Sequence, residues 1–237
     1  MMTIKERPVL FGAPMVRAML ESRKSVTRRV VKVQPFDLSW SRRDHRFEYL
    51  SGRAENGDEI DGFYVYTTRS GGEWSAKCPY GQRGDRLWVR ETFYAFGRWE
   101  TRFSQRKGRD KWHFVDLTLE HFKAYQFETP QTYCLGLRGD TAPAWWKRPS
   151  IFMPRIASRI LLEITGVRVE RLQDISEEQA KAEGLLFEDG QWSGAPGLPS
   201  FGIPVPAFAH LWISINGVEG WNANPWVWVV EFRRVTP

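Results

Sequence analysis

The stretch Gly12–Pro35, "GAPMVRAMLESRKSVTRRVVKVQP", decides how the chain folds, because helix, turn and strand signals follow one another in it. Pro14 suits a first helical turn, where its missing N–H would be unpaired anyway, and Val16, Met19 and Leu20 fall at i, i+3 and i+4 on one face. Arg23 and Lys24 close that helix where positive charge complements the carbonyl end. "TRRVVKVQP" then reads as a strand of β-branched residues ended by Pro35. Between them Lys24 and Thr27 stand three positions apart with Arg28 and Arg29 behind. Such a cluster is either a solvated basic helix end or the chemical centre of the protein.

Further along, "CPYGQRGDRLWVRETFYAF" reads as a turn carrying Pro79, Gly81 and Gly84, then a strand from about Arg86 to Phe93. In "RPSIFMPRIASRILLEITGVRVERL" Ile160, Leu162 and Ile164 alternate toward one face, and "GVRVERL" continues the sheet after Gly166. The best-specified helix is in "DISEEQAKAEGLLF": Ser176 with Gln179 three later forms a capping box, Glu177 and Glu178 favour its positive end, and Gly184 stops it. "AFAHLWISIN" returns to helical spacing, with Phe208, Leu211, Trp212 and Ile215 on one face. The closing "NPWVWVVEFRRV" is a strand on which Trp226, Trp228, Val230 and Phe232 alternate with Val227, Val229, Glu231 and Arg233.

Two excursions interrupt this pattern. Residues 37–77 are polar and Gly-containing, with a strand at "GFYVYTT" and a hairpin expected; residues 97–146 are rich in charge and aromatics, with another hairpin expected near "KWHFVDL". A Gly/Pro-rich loop spans 188–206. The expected architecture is one α+β domain over 1–237, a small mixed β-barrel flanked by short helices, because strands outnumber helices and no regular helix–strand alternation supports a doubly wound sheet.

Composition limits the partners. Thirty-four Lys and Arg against twenty-eight Asp and Glu give a net charge of +6, a balance that favours polyanions such as RNA or DNA. Twelve tryptophans supply core area and flat faces for stacking. Cys78 and Cys134 have no CxxC spacing, and the N-terminus has no apolar run of signal-peptide length, so a reducing cytoplasm and no membrane partner are expected. No GxGxxG, GxxxxGK[ST] or GxSxG occurs, and His45, His113, His121 and His210 are scattered without metal-ligand spacing. Neither a metal nor a cofactor is expected.

Four blocks, "ESRKSVTRRV", "GQRGDRLWVRE", "DISEEQAKAEGL" and "WVVEFRRV", resemble in order the ASCH domain, a branch of the PUA-like superfamily. Fuller stretches, such as "CPYGQRGDRLWVRETF" and "LWISINGVEGWNANPWVWVVEF", look like the larger ASCH-like proteins of tailed bacteriophages and prophages. The blocks cover about half the chain, with the two excursions as insertions. The resemblance implies a PUA-like barrel with a cleft beside the first helix that recognises RNA, DNA or a modified nucleobase. One subgroup is an amidohydrolase that deacetylates N4-acetylcytidine, and its catalytic set maps by motif onto Lys24, Thr27 and Glu183. Some members are reported as nucleases, which makes a metal-independent ribonuclease a further alternative. The family's glycine before "RK" is Ser22 here, and a serine resists the positive φ a glycine adopts, so a differently shaped turn is expected.

The chemistry constrains the roles. A threonine hydroxyl becomes a nucleophile only when a base takes its proton, and a lysine serves as that base only if burial or neighbouring cations lower its pKa. Arg23, Arg28 and Arg29 would push in that direction and Glu183 would oppose it. As a pure binding module, the protein would use Arg17, Arg23, Arg28 and Arg29 on phosphates, with Trp88 and Arg90 lining the cleft for stacking and phosphate contact.

Overall fold

The computed structural model describes residues 4–34, 45–53, 59–67, 73–133, 138–139 and 142–235. Among them the chain is an α+β protein dominated by strands: β1 Glu6–Leu10, β2 Val26–Val30, β3 His45–Arg53, β4 Glu59–Thr67, β5 Glu73–Ala76, β6 Arg86–Arg90, β7 Phe93–Ser104 and β8 Arg109–Asp116. After them come β9 Ala144–Arg148, β10 Leu161–Arg171, β11 Leu186–Glu188, β12 Gln191–Ser193, β13 Ser200–Phe201 and β14 Trp226–Val235. The helices are α1 Ala13–Leu20, α2 Glu177–Ala182 and α3 Pro204–Asn222, the last interrupted at Gly217.

The chain divides into two compact units, Met1–Val9 with Pro14–Trp88 and Ile160–Pro237, and Leu10–Ala13 with Val89–Arg159. The first carries most of a five-stranded sheet in the order β1-β6-β10-β14-β2. Its centre is the long antiparallel pair β10 and β14, which runs from Leu161 opposite Val235 to Arg171 opposite Trp226. Among the described residues no sheet closes on itself, so the expected barrel is an open sheet here. The chain passes from the β1 edge to the β2 edge through α1, and β2 makes its ladder with β14.

Alternation divides the two faces. Val26 and Arg28 of β2, with Val227 and Val229 of β14, face a core that includes Leu172, Ile175, Ala180, Leu185, Phe208 and Trp212, contributed largely by α2, α3 and the segments beside them. Thr27, Trp226, Trp228, Val230, Phe232, Leu162 and Ile164 belong to the other face, where Phe63 of β4 packs edge-on against Trp228 at 5.3 Å. The inward alternation expected for Ile160, Leu162 and Ile164 is present, each at most 1% exposed.

Local differences from the sequence reading have physical causes. The strand from Arg86 breaks at Glu91, whose carboxylate takes both Nε and Nη2 of Arg159, and a new strand starts at Phe93. The 188–206 loop is a small antiparallel sheet in the order β11-β12-β13. Asp189 and Gly190 form its two-residue turn with φ of +50° and +75°, the left-handed pair that matches strand twist in a hairpin. The first excursion folds as the three-stranded sheet β3-β4-β5 and the second contains the hairpin β7–β8, with β9 on its other side. Pro35 and Cys134 lie outside the described residues. Cys78 is buried, and burial pushes its thiol up to about 11, which leaves it a neutral, unreactive thiol near pH 7. No helix among the described residues is long and apolar enough to cross a membrane.

Ser22 takes φ = +60°, the conformation expected of a glycine at this turn. The turn therefore keeps its left-handed shape despite the serine, held by N–H groups of Arg23 and Lys24 that both donate to the Ala18 carbonyl, at 2.8 and 3.1 Å. A Cβ in this region carries a strain of about 1–2 kcal/mol. Ser22→Gly is expected to raise stability by about 0.5–1 kcal/mol after the glycine's extra unfolded-state entropy is subtracted, read as a higher urea midpoint with an unchanged slope.

Candidate functional site

The turn after α1 meets the end of α2. Lys24 and Glu183 form an antiparallel bridge, and Ser25 N–H donates to the Ala182 carbonyl at 2.9 Å. This approach depends on Gly184: its φ is +95°, and a Cβ there would stand 2.8 Å from Ala18 Cβ and 2.9 Å from Lys24 Cβ. The sequence stop signal for α2 is thus also the gap into which Lys24 packs. Glu183, the last residue before that gap, is carried back onto the start of β2.

The Lys24 side chain is fully buried, and its Nζ donates to the Val26 carbonyl at 2.8 Å, the Glu183 carbonyl at 2.8 Å and Glu183 Oε2 at 2.7 Å. Burial lowers the Lys24 pKa, Glu183 opposes that by charge and hydrogen bond, and Arg29 and Arg28 add to the lowering. Arg28, equally buried, donates from Nη1 to Glu183 Oε1 at 3.2 Å and from Nη2 to Glu170 Oε2 at 3.3 Å and Gln179 Oε1 at 2.8 Å. Arg168 Nε donates to Glu170 Oε1 at 2.5 Å, and its Nη1 pairs with Glu231 Oε1. Lys24, Arg28 and Arg168 thus alternate with Glu183, Glu170 and Glu231 in one connected network. The four buried members, Lys24, Arg28, Glu183 and Glu170, are tolerated because they balance and their hydrogen bonds are largely met, while Arg168 and Glu231 reach the surface.

Beside this network opens a cleft of about 340 Å³ lined by Ser25, Val26, Thr165, Arg168, Glu178, Gln179, Ala182, Glu231 and Phe232. Its floor is shaped by a bulge in β10 between Ile164 and Gly166, which turns Thr165 outward. Gly166 faces Glu231, whose Oε2 would lie 2.8 Å from a Cβ there. On the helix side the capping box forms as expected, with Gln179 N–H donating to Ser176 Oγ at 3.3 Å and Ser176 N–H donating to Gln179 Oε1 at 3.1 Å. The Gln179 oxygen therefore accepts from both Ser176 and Arg28. Its amide orientation is fixed by those two donors, and its Nε2 makes no hydrogen bond among the described residues.

The cleft wall consequently offers donors from Gln179 and Arg168 beside carboxylate acceptors from Glu178 and Glu231. Glu178 Oε2 accepts from Ser176 Oγ at 3.0 Å, and hydrogen bonds from its own backbone N–H and from Ser176 hold its pKa below the usual carboxylate range. It is an anion at neutral pH.

The structure brings together three of the residues expected from sequence, Lys24, Arg28 and Glu183. Thr27 is buried too, but strand alternation places it on the face opposite Val26 and Arg28, and its hydroxyl makes no hydrogen bond with Lys24, Glu183 or any other described residue. Arg23 is occupied with Glu21 and with the carbonyls of Gly184 and Leu185, at 2.6 and 3.1 Å, and acts as a clip between α1 and the end of α2. Arg29 is half-buried near Lys24 and Tyr80, and its charge acts on both. Arg17 is exposed on α1. Trp88 is 7% exposed, a core residue without an open face for stacking. Arg90 belongs to the second unit, where its Nη1 donates to the Ile151 carbonyl at 3.4 Å.

Sequence reading missed Arg168, Glu170, Glu231 and the second role of Gln179. The available signal was in "GVRVERL": a strand that keeps alternating while placing Arg168 and Glu170 two apart on one face holds a buried or cleft-facing pair, since a purely apolar face would have no use for either. Comparison with family models, with curated proteins and with solved structures finds no match to this chain.

Proposed function

We propose that this protein is an ASCH/PUA-like module that recognises a nucleobase, free or within RNA or DNA, in the cleft between α2 and the β10 bulge. The observation that carries this reading is the fixed amide of Gln179. With its oxygen held by Ser176 and Arg28, its N–H donors are left without a partner among the described residues, on a side chain that lines the cleft together with Glu178 and Glu231. Adjacent donors and acceptors match the edge of a base such as cytosine, where ring nitrogen and carbonyl accept and the exocyclic amine donates. The cleft volume of about 340 Å³ lies within the range of small-molecule sites, roughly 300–1,000 Å³.

Calorimetric titration with cytidine, N4-acetylcytidine, adenosine and uridine tests it. Gln179→Glu keeps an oxygen for Ser176 and Arg28, replaces the donors by a second acceptor oxygen and adds one negative charge beside Arg28. It is expected to fold normally and to bind the preferred nucleoside roughly 10–150-fold more weakly, the equivalent of about 1.5–3 kcal/mol. Unchanged affinity in that variant, or no nucleoside bound by the wild type, removes the reading.

A second reading, hydrolysis of an acetylated cytidine by Lys24, Thr27 and Glu183, is favoured by the lowered Lys24 pKa. Against it stand the three acceptors already occupying Nζ and the position of Thr27 on the opposite strand face. Release of cytidine from N4-acetylcytidine by the wild type but not by Thr27→Val would favour hydrolysis over binding alone. A cut in labelled single-stranded RNA would favour the ribonuclease alternative.

A further inference from the structure

The hairpin β7–β8 lies wholly in the second unit. Its register pairs Phe103 with Asp110, Arg102 with Lys111 and Thr101 with Trp112, and it turns at Gly108, which sits at φ = +60°. Alternation therefore sorts the ribbon into two faces. One face carries Phe103 and Trp112, exposed by 65% and 43%, ahead of the Trp99–Phe114 edge-on pair that anchors the base of the ribbon. The other carries Arg102 and Lys111, with Arg106 and Lys107 at the turn.

Charge concentrates here. Between positions 98 and 111 six cations, Arg98, Arg102, Arg106, Lys107, Arg109 and Lys111, stand against Glu100 and Asp110, a net +4 where the whole chain has +6. Glu100 is taken up by Arg98 at 2.8 Å and Arg102 at 3.6 Å, near the base. The four cations nearest the turn form no ion pair among the described residues. The Lys111 pKa is lowered, first by desolvation and then by the charge and hydrogen bond of Lys107 and the charge of Arg109. β8 is an edge strand of its sheet, and Arg106 and Lys107 stand in the turn that joins it to β7.

We propose that this ribbon is a binding site for single-stranded nucleic acid, with bases stacked on Phe103 and Trp112 and phosphates held by the cations of the turn. Neighbouring aromatics in a basic setting are the means by which proteins hold single strands without reading their sequence. A duplex keeps its bases inside and gives Phe103 and Trp112 nothing to stack on. The ribbon is independent of the nucleobase cleft, because none of its residues lines that cleft.

Fluorescence anisotropy with labelled oligo-uridine and oligo-thymidine of about 20 nucleotides, longer than the ~4–16 nucleotides such a surface covers, tests the proposal on the full chain. Phe103→Ala and Trp112→Ala remove exposed side chains and are expected to fold as the wild type. Each should weaken binding roughly 5–150-fold. Arg106→Ala with Lys107→Ala should reduce the slope of log affinity against log salt by about 1.4, two contacts at about 0.7 each. Unchanged affinity in the aromatic variants, equal binding of a duplex, or no salt-dependent binding at all overturns it. Nucleoside titration of Phe103→Ala/Trp112→Ala separates the two sites: cleft binding survives if only the ribbon proposal fails, and ribbon-dependent oligonucleotide binding survives if only the cleft reading fails.

Discussion

Replacing Glu183 by alanine is expected to cost about 3–5 kcal/mol of folding stability, although the residue sits at the end of a six-residue helix and looks like an ordinary surface carboxylate in sequence. Its two oxygens satisfy Lys24 at 2.7 Å and Arg28 at 3.2 Å, and both of those side chains are fully buried. Without the carboxylate two cations face each other with only backbone carbonyls, Glu170 and Gln179 left as partners. The deficit also depends on pH. The Lys24 pKa is lowered by burial in the wild type, and Glu183 is what holds it up, so the variant lowers it further. The unfolded chain, with its lysine near 10.5, then binds more protons than the folded one over a wider window. Stability of the variant should accordingly rise with pH from the lowered folded value up to the unfolded one, and the gap from wild type should narrow across that window. Lys24→Met/Glu183→Leu removes both charges together and should lose less than Glu183→Ala alone, since apolar replacement of a whole buried pair is often close to neutral. Urea unfolding at several pH values measures all three. A loss below about 1 kcal/mol in Glu183→Ala, the range of an exposed pair, would contradict the buried network.

Trp226→Ala should be of similar size, about 3–5 kcal/mol, for a different reason. The indole is entirely buried at the start of β14, with the Arg171 guanidinium 5.2 Å from its ring. Its backbone is held by Gln34, which accepts from the Trp226 N–H at 2.7 Å and donates to its carbonyl at 3.1 Å. Truncation therefore opens a cavity at a strand end whose backbone cannot move to fill it, and the cost should fall near the upper end of the range for a large aromatic. Thermal unfolding of this variant and of the milder Trp226→Phe separates lost volume from lost contact: the phenylalanine should recover more than half of the deficit.

These two residues also mark how far the sequence could be read. The alternation of Trp226, Trp228, Val230 and Phe232 with Val227, Val229, Glu231 and Arg233 assigned the closing strand, but its first half is buried on both faces, Val227 and Val229 included, so the period did not single out one core face. The capping box of α2 was equally legible, since Ser176 and Gln179 act within a single turn. Glu183 could be placed beside Lys24 only through an ordered resemblance, as 159 residues separate them and no local signal reports such a contact. The sequence named burial and neighbouring cations as what would lower the Lys24 pKa and Glu183 as the opposing group; in the structure burial is the largest cause and Glu183 opposes it.

Other features were hidden for physical reasons. Thr27 lies three residues from Lys24, yet its face is set by the ladder with β14, where it stands opposite Val230. Ser22 adopts the left-handed turn despite its Cβ because the hydrogen bonds of Arg23 and Lys24 to Ala18 hold it there. The Asp189–Gly190 pair was a hairpin signal masked by its Gly/Pro-rich surroundings. Gln179 was readable as a cap, but its second partner, Arg28, comes from 151 positions away.

The cleft is tested most directly by following the side-chain amide of Gln179 in a ¹⁵N–¹H spectrum while the preferred nucleoside is added. The Gln179 NH₂ resonances are expected to shift and saturate with the calorimetric affinity, together with the signals of Thr165 and Arg168, which line the same cleft. Saturating binding that leaves those signals in place and moves others instead would contradict recognition in this cleft.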